Sequence, residues 1–121
     1  MLVYHELLPQ AYVLGLAPGP TFELALAQQL RRAARSGKTA VWVDCRLLTS
    51  LSAGAVRLLH ACHHRLRRRG AQLVLCRVPG ALAGVLRQAS ADLCLAPTFD
   101  EAAAQQCTGP APRPASPGWL G

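Results

Sequence analysis

Small and hydroxyl-bearing side chains are concentrated in the stretch DCRLLTSLSAGAVRLL, residues 44–59. Within it, Ser50, Ser52, Ala53 and Gly54 add little to a hydrophobic core. A serine at the start of a helix can accept a hydrogen bond from a backbone N–H group, and short side chains let another molecule approach closely. The stretch therefore predicts a helix cap, a docking surface for a partner, or both.

Residues that could carry out catalysis do not form a recognisable set. The candidate nucleophiles are Ser52 and five cysteines, and none has a base at a predictable spacing. Asp44 follows a hydrophobic stretch, where an active-site acid could lie, but an Asp there more often accepts hydrogen bonds from loop N–H groups. The segment GLAPGP lacks the lysine and the glycine spacing of a phosphate-binding loop. We therefore predict a binding module without a cofactor rather than an enzyme.

Two histidines at helical spacing are candidate metal ligands. In the segment HACHH, His60 and His64 are one helical turn apart and could chelate one ion. Cys62 points away from this pair on a helix, so the segment does not present three ligands together. Because an isolated surface pair is usually part of a solvated helix face, no metal site is predicted.

The chain is strongly basic. Its 121 residues carry a formal net charge of +7, so nucleic acid, an acidic membrane surface and an acidic protein are all candidate partners. The arginines collect at the ends of two predicted helices, where cations meet the negative end of the helix dipole, in the segments 31–35 and 65–69. No aromatic side chains are interleaved with them for base stacking, and solvated helix ends are therefore favoured over nucleic-acid binding.

The cysteines indicate a reducing compartment. There are five of them, with no CxxC pair and no secretory signal, because the N-terminus MLVYHELLPQ lacks a basic region and a long apolar run. No segment has the length of apolar run that a membrane span requires. We expect small buried thiols and a cytoplasmic protein.

Hydrophobic periodicity predicts alternating strands and helices. Two short strands are expected over residues 2–8 and 11–17. The next segment predicts a helix that begins near Thr21 and ends at Gly37. Its expected apolar face consists of Leu24, Leu26, Ala27 and Leu30. The nearly continuous apolar run Thr39–Asp44 predicts a central strand that is buried on both faces.

The second half of the chain continues this alternation. A helix with apolar positions spaced by three and four residues is predicted to begin near Ser52 and to end at Gly70. The segments 71–78 and 92–97 predict two further strands, separated by a short helix that begins near Pro79. Helices that follow buried strands indicate an α/β fold with a mainly parallel sheet.

The end of the chain changes in composition. A last helix is predicted to be capped by Thr98 or Asp100. From residue 108 onward, proline and glycine predominate, which is typical of a disordered tail. We therefore predict one domain at residues 1–107 and a tail at residues 108–121.

This order of elements resembles the STAS domain, the family of bacterial anti-sigma factor antagonists, over residues 2–105. The resemblance is carried by VWVD at the end of the central strand, by LSAG at 51–54, where the family has Asp-Ser-Ser/Thr-Gly, and by RRGAQLVL. It implies a STAS-like α/β fold, a small mixed, mainly parallel sheet of about five strands flanked by about four helices. Leu51 and Ala53 depart from the family motif.

By matching position, the resemblance implies that Ser52 is the serine that a partner kinase phosphorylates. The surface expected to bind that partner, an anti-sigma factor with GHKL-type serine kinase activity, consists of Ser50, Leu51, Ser52, Ala53 and Gly54. A phosphate at a helix start is compatible with the fold because free N–H groups and the helix dipole favour it. Its charge and hydration oppose docking of the partner.

Two other functions are left open by the sequence. STAS subunits bound to the ATPase of a lipid-trafficking ABC transporter often have Thr/Ser-Ala-Gly in this motif and need no phosphorylation, and residues 52–54 fit that variant. A nucleic-acid-binding domain that acts through the basic segment 65–69 is a third candidate. The sequence determines neither the partner nor the oligomeric state.

Overall fold

The computed structural model describes residues 2–89 and 92–108. Within them the chain forms a five-stranded sheet in which the strands follow the order of the chain. The strands are β1 (Leu2–Leu7), β2 (Ala11–Leu16), β3 (Ala40–Asp44), β4 (Gln72–Cys76) and β5 (Cys94–Ala96). β1 and β2 form an antiparallel hairpin, whereas β2 to β5 are parallel. The predicted mixed, mainly parallel sheet is therefore confirmed, with β3 at its centre.

The helices cover both faces of this sheet. They are α1 (Phe22–Arg35), α2 (Ala53–Arg68), α3 (Gly80–Ala89) and α4 (Phe99–Thr108). The larger hydrophobic core lies between one face of the sheet and the apolar sides of α1, α2 and α3. A smaller core lies between the other face and α4. The α/β fold predicted from the alternation of strands and helices is confirmed.

β3 is apolar at nearly every position because both of its faces are covered. Val41 and Val43 belong to the larger core, and Ala40 and Trp42 belong to the smaller one. The neighbouring strands β2 and β4 pair with it in parallel along its whole length. β3 ends at Asp44, so the chain leaves the carboxyl edge of the sheet there and crosses to the start of α2.

Local signals correctly predict several helix ends. Gly37 and Gly70, which follow α1 and α2, have φ angles of 79° and 77°, a left-handed conformation that favours glycine. The cap of α4 is Thr98 rather than Asp100, because the Thr98 Oγ1 accepts a hydrogen bond from the Glu101 N–H at 3.1 Å.

One prediction about α1 is wrong. Leu24 was placed on the packed face of the helix, but its side chain is 61% exposed. Leu24 lies two residues before the buried Leu26 and so points almost the opposite way around the helix. The buried face instead consists of Leu26, Gln29, Leu30 and Ala33. The predicted helix start near Thr21 is confirmed, because Thr21 occupies the N-cap position, although its side chain makes no cap hydrogen bond.

α4 reaches the end of the described part of the chain, at Thr108. The predicted tail lies outside the described residues from 109 onward, so the division into a domain at 1–107 and a tail at 108–121 stays a prediction. Among the residues that the structure describes, no helix is both long enough and apolar enough to cross a bilayer.

Candidate functional site

Ser52 lies where the loop after β3 enters α2. It is the N-cap residue of the helix, with an extended backbone (φ −69°, ψ 161°) and an exposed side chain. Its Oγ accepts a hydrogen bond from the Ala55 N–H at 3.1 Å, which satisfies one of the amides left free at a helix start. The same hydroxyl donates a hydrogen bond to the Glu23 Oε2 at 2.6 Å. Ser52 is therefore an exposed cap that also joins α2 to α1.

Glu23, in the first turn of α1, brings a carboxylate to this site. A Cβ atom at Gly54 would collide with that carboxylate, so a glycine at this position allows the two helix starts to share it. The carboxylate lies near the positive ends of two helix dipoles, where a negative charge is favoured. Glu23 was not predicted as a site residue, because contact between residues 29 positions apart has no local signal in the sequence.

An open cleft of about 540 Å³ adjoins Ser52. It lies between the loop that precedes α1 and the loop that precedes α2, and its lining includes Pro18, Phe22, Leu24 and Ser50. Leu24 is 61% exposed, and Leu47, in the loop after β3, is 44% exposed. An apolar surface bordered by small polar side chains can bind an apolar side chain of another protein.

The five residues predicted to bind a partner have different surroundings. Ser50, Ser52 and Ala53 are exposed, and Ser50 lines the cleft together with Ser52. Leu51 is half-buried and packs against the larger core, so it anchors the loop. Gly54 is also half-buried. The exposed part of this stretch is therefore formed by the two serines and Ala53, whereas Leu51 and Gly54 are half-buried.

Asp44, at the end of β3, is the centre of a second polar group. Its side chain is buried, with 3% of the residue exposed. Its Oδ1 accepts hydrogen bonds at 3.1 Å from the Arg77 Nε and from the Arg46 N–H. Its Oδ2 accepts hydrogen bonds from the Tyr4 hydroxyl, at 2.7 Å, and from the Arg77 Nη2. The Arg77 guanidinium also lies over the Phe99 ring, 4.9 Å from its centroid.

These contacts decide the ionisation of Asp44. Burial alone would raise its pKa, but hydrogen bonds from Arg77, Tyr4 and the Arg46 N–H outweigh burial and hold the pKa below its usual value of 3.8. Burial, together with the Asp44 carboxylate, raises the pKa of Tyr4 to about 12. A carboxylate with both oxygens engaged by its own chain is a structural group. Asp44 thus has the loop-binding role that was favoured for it, extended by Arg77 and Tyr4.

Three of the cysteines whose side chains the structure describes are packed as small hydrophobic residues. Cys45, Cys62 and Cys76 are buried free thiols, and Cys94 is half-buried and free. Burial raises the pKa of Cys45 and of Cys76 to about 12 and that of Cys62 to about 11. These three thiols are therefore protonated and unreactive near neutral pH. The side chain of Cys107 lies outside the described residues.

The basic segment at the end of α2, residues 65–69, contacts the end of α1 through Arg69. The Arg69 Nη1 donates a hydrogen bond to the Lys38 carbonyl at 3.2 Å, and its Nη2 donates to the Ala34 carbonyl at 3.0 Å. A cation at the carbonyl end of a helix is favoured by the helix dipole. Arg65 and Arg67 are exposed. The segment thus includes both a structural cation and solvated ones.

Comparison with known proteins identifies the family. The family model described as "Mlab, STAS domain" matches residues 21–96, which is more than half of the chain. The chain therefore belongs to the STAS domain family. A comparison with curated protein sequences found no match.

Solved structures share this fold at low sequence identity. An RsbS variant of Moorella thermoacetica is 13% identical, with a TM-score of 0.71 over 85% of this chain and 92% of that chain. A proposed anti-sigma factor antagonist of Thermotoga maritima is 10% identical, with a TM-score of 0.72 over 84% and 92% of the two chains. The anti-sigma factor antagonist SpoIIAA in its unphosphorylated form is 13% identical, with a TM-score of 0.68 over 90% and 99%. At these identities the similarity shows the fold.

Proposed function

We propose that this protein is an anti-sigma factor antagonist whose partner is an anti-sigma factor with GHKL-type serine kinase activity, and that phosphorylation of Ser52 by this kinase weakens their complex. The observation that carries the proposal is the exposed Ser52 hydroxyl at the start of α2, beside an open cleft. Membership of the STAS family and the antagonists among proteins of the same fold support it.

The surface around Ser52 has the features that close docking needs. Ser50 and Ala53 are short and exposed, so a partner can approach the backbone at the helix start. Leu24 lines the same cleft as Ser50 and Ser52, and its exposed side chain offers apolar area for a partner to cover. An interface that covers Leu24 would also reach Ser52, because both residues line this cleft.

A phosphoryl group on Ser52 would change this surface through charge. It adds between about 1.5 and 2 negative charges at neutral pH. The Glu23 Oε2 lies 2.6 Å from the Ser52 Oγ, and two unit charges about 4 Å apart repel by about 4 kcal/mol under the screening typical of a protein surface. The Glu23 side chain is exposed and can move away. The amides and the dipole of α2 hold the phosphate, which then remains with its hydration shell in the docking surface.

The direct test is phosphorylation by GHKL-type serine kinases from the same genome. Incubation with kinase and ATP should add the mass of one phosphate, and Ser52→Ala should abolish that gain. Calorimetry should show that the phosphorylated protein binds the kinase about 5- to 150-fold more weakly, as expected for a coupling of about 1–3 kcal/mol.

Ser50→Ala is the matched control, because Ser50 is exposed in the same loop and lines the same cleft. It should leave the mass gain intact. A phosphate on Ser50, or no mass gain with any of these kinases, would contradict the phosphorylation of Ser52. Loss of kinase binding in Leu24→Asp would still support docking at this surface.

A second candidate is a STAS subunit that binds the ATPase of an ABC transporter without phosphorylation. The observation that favours it is the state of the Ser52 hydroxyl, which already accepts from the Ala55 N–H and donates to Glu23. A hydroxyl that already accepts one hydrogen bond and donates another can serve as a helix cap without being phosphorylated. Co-purification with an ABC ATPase, at an affinity that Ser52→Ala leaves unchanged, would select this function over the first.

A further inference from the structure

Side chains of α2 and of the segment before β5 form a cluster that the proposed function does not use. The rings of His60 and His64 are in contact, with centroids 4.4 Å apart. The Asp92 Oδ2 lies 3.8 Å from the His60 Nε2. One ligand atom from each of these three residues lies within 4.8 Å of the other two. The histidine pair thus has the third ligand group that the segment HACHH alone does not contain.

His63 lies directly beside this cluster. Unlike the surface pair His60 and His64, it is buried, with only 2% of the residue exposed. Both of its ring nitrogens are buried and have no hydrogen-bond partner among the described residues. Its ring centroid is 5.5 Å from that of His64 and 6.5 Å from that of His60. Buried polar groups are normally paired, so the unpaired His63 imidazole beside the cluster is a second feature that the proposed docking function leaves unexplained.

The cluster has the composition and spacing of a metal site. In a tetrahedral zinc site the ligand atoms lie about 2.0–2.1 Å from the ion, which places them about 3.3 Å from one another. His64 and Asp92 are exposed, so small side-chain rotations can close the remaining distance. Two imidazoles and one carboxylate favour zinc and neighbouring transition metals, whereas Mg²⁺ and Ca²⁺ prefer oxygen ligands.

We propose that His60, His64 and Asp92 bind one divalent transition-metal ion, with Zn²⁺ as the best match, and so connect α2 to the segment that enters β5. A water molecule would complete the coordination. The connection joins two parts of the chain through side chains that are at the surface. Binding of the ion should therefore stabilise the fold, because the unfolded chain does not hold these ligands together.

Nearby charges limit the affinity of this site. Arg57, Arg67 and Arg68 lie within about one helical turn of the histidines and repel a cation. Asp92 contributes one negative charge against them. We therefore expect weaker binding than at a closed structural site with four protein ligands.

The test is a titration of the full, tag-free chain with zinc chloride, with its thiols kept reduced by a phosphine that does not chelate metals. Calorimetry should show one ion bound per chain, and the melting temperature should rise with the Zn²⁺ concentration. Magnesium chloride should produce neither effect. Asp92→Asn and His64→Gln should each weaken Zn²⁺ binding at least about tenfold.

His5→Gln is the matched control, because His5 is an exposed histidine on β1 and outside the cluster. It should bind Zn²⁺ as the unaltered protein does. Co²⁺ distinguishes this site from the cysteines, because thiolate ligands would give an intense near-ultraviolet band and histidine with carboxylate would not. That band, absence of Zn²⁺ binding, or unchanged binding in Asp92→Asn with a native circular dichroism spectrum would overturn the proposal.

Discussion

The two polar centres of this molecule lie at the same edge of the sheet, but their surroundings differ. Asp44 is 3% exposed, and its four hydrogen bonds come from its own chain. Ser52 is exposed, and it faces an open cleft. A buried polar group that loses its partner costs free energy, whereas an exposed one can exchange its partner for water or for another protein. Regulation by a partner is therefore expected at Ser52 and not at Asp44.

Two glycines show the same difference. A Cβ atom at Gly15 would collide with the ring of Tyr4, which is held by Asp44. A Cβ atom at Gly54 would collide with the Glu23 carboxylate, which ends an exposed side chain. The missing Cβ atom of Gly15 thus leaves room for a packed aromatic ring. The missing Cβ atom of Gly54 leaves room for an exposed and movable side chain.

The largest effect should follow removal of the buried carboxylate. Asp44→Ala leaves the Arg77 guanidinium and the Tyr4 hydroxyl unpaired, and it should lower the free energy of unfolding by about 2–3 kcal/mol. This is below the range for a fully buried pair, because the Arg77 side chain is 35% exposed. Urea unfolding measures the change. Glu6→Ala, which removes an exposed carboxylate on β1, should change it by less than about 0.5 kcal/mol.

Acid should also lower the free energy of unfolding through protonation of Asp44, but by less than Asp44→Ala does. Because the folded pKa of Asp44 lies below 3.8, the unfolded chain binds the proton more tightly. The stability that this group contributes is therefore present above that pH and is lost as the pH falls below it. Unfolding of the unaltered protein should show a steeper loss in this range than that of Asp44→Asn. If the free energies of unfolding of the two proteins fell in parallel with pH, ionisation of Asp44 would not contribute to the acid sensitivity of the fold.

Substitution by alanine should affect stability differently at the two glycines. Gly15→Ala should cost about 1–2 kcal/mol of unfolding free energy, because the Tyr4 ring must leave its place. Gly54→Ala should be neutral or slightly stabilising, because alanine favours a helix and the Glu23 side chain can move. Thermal unfolding of both variants compares them directly. If both variants lost the same amount of stability, the proposed difference between the packed Gly15 and the accessible Gly54 would be wrong.

Removal of the exposed cap should cost less stability than removal of the buried carboxylate. Ser52→Ala removes the acceptor for the Ala55 N–H and should lower the free energy of unfolding by about 1 kcal/mol. Ser52→Thr keeps an acceptor and should lose only a fraction of that. Chemical unfolding of the two variants measures the difference. A loss as large as that of Asp44→Ala would show that Ser52 is as structural as Asp44.

The sequence predicts elements better than it predicts contacts. The continuous apolar run of β3 correctly indicated a strand covered on both faces, and Ser52 was correctly placed at the start of a helix. The apolar face of α1 was predicted less well, because leucines lie on more than one side of that helix and Leu24 proves to be exposed. That error matters for function, since Leu24 borders the proposed docking surface.

Periodicity, glycine positions and capping residues are local properties, and by themselves they determined the order of strands and helices and the position of Ser52. The pairing of Ser52 with Glu23, of Asp44 with Tyr4 and Arg77, and of His60 with Asp92 was decided only by the tertiary structure. Each of these pairs joins residues far apart in the chain. The order of strands in the sheet brings together the loops and helix ends that carry them, and a sequence pattern does not encode that proximity.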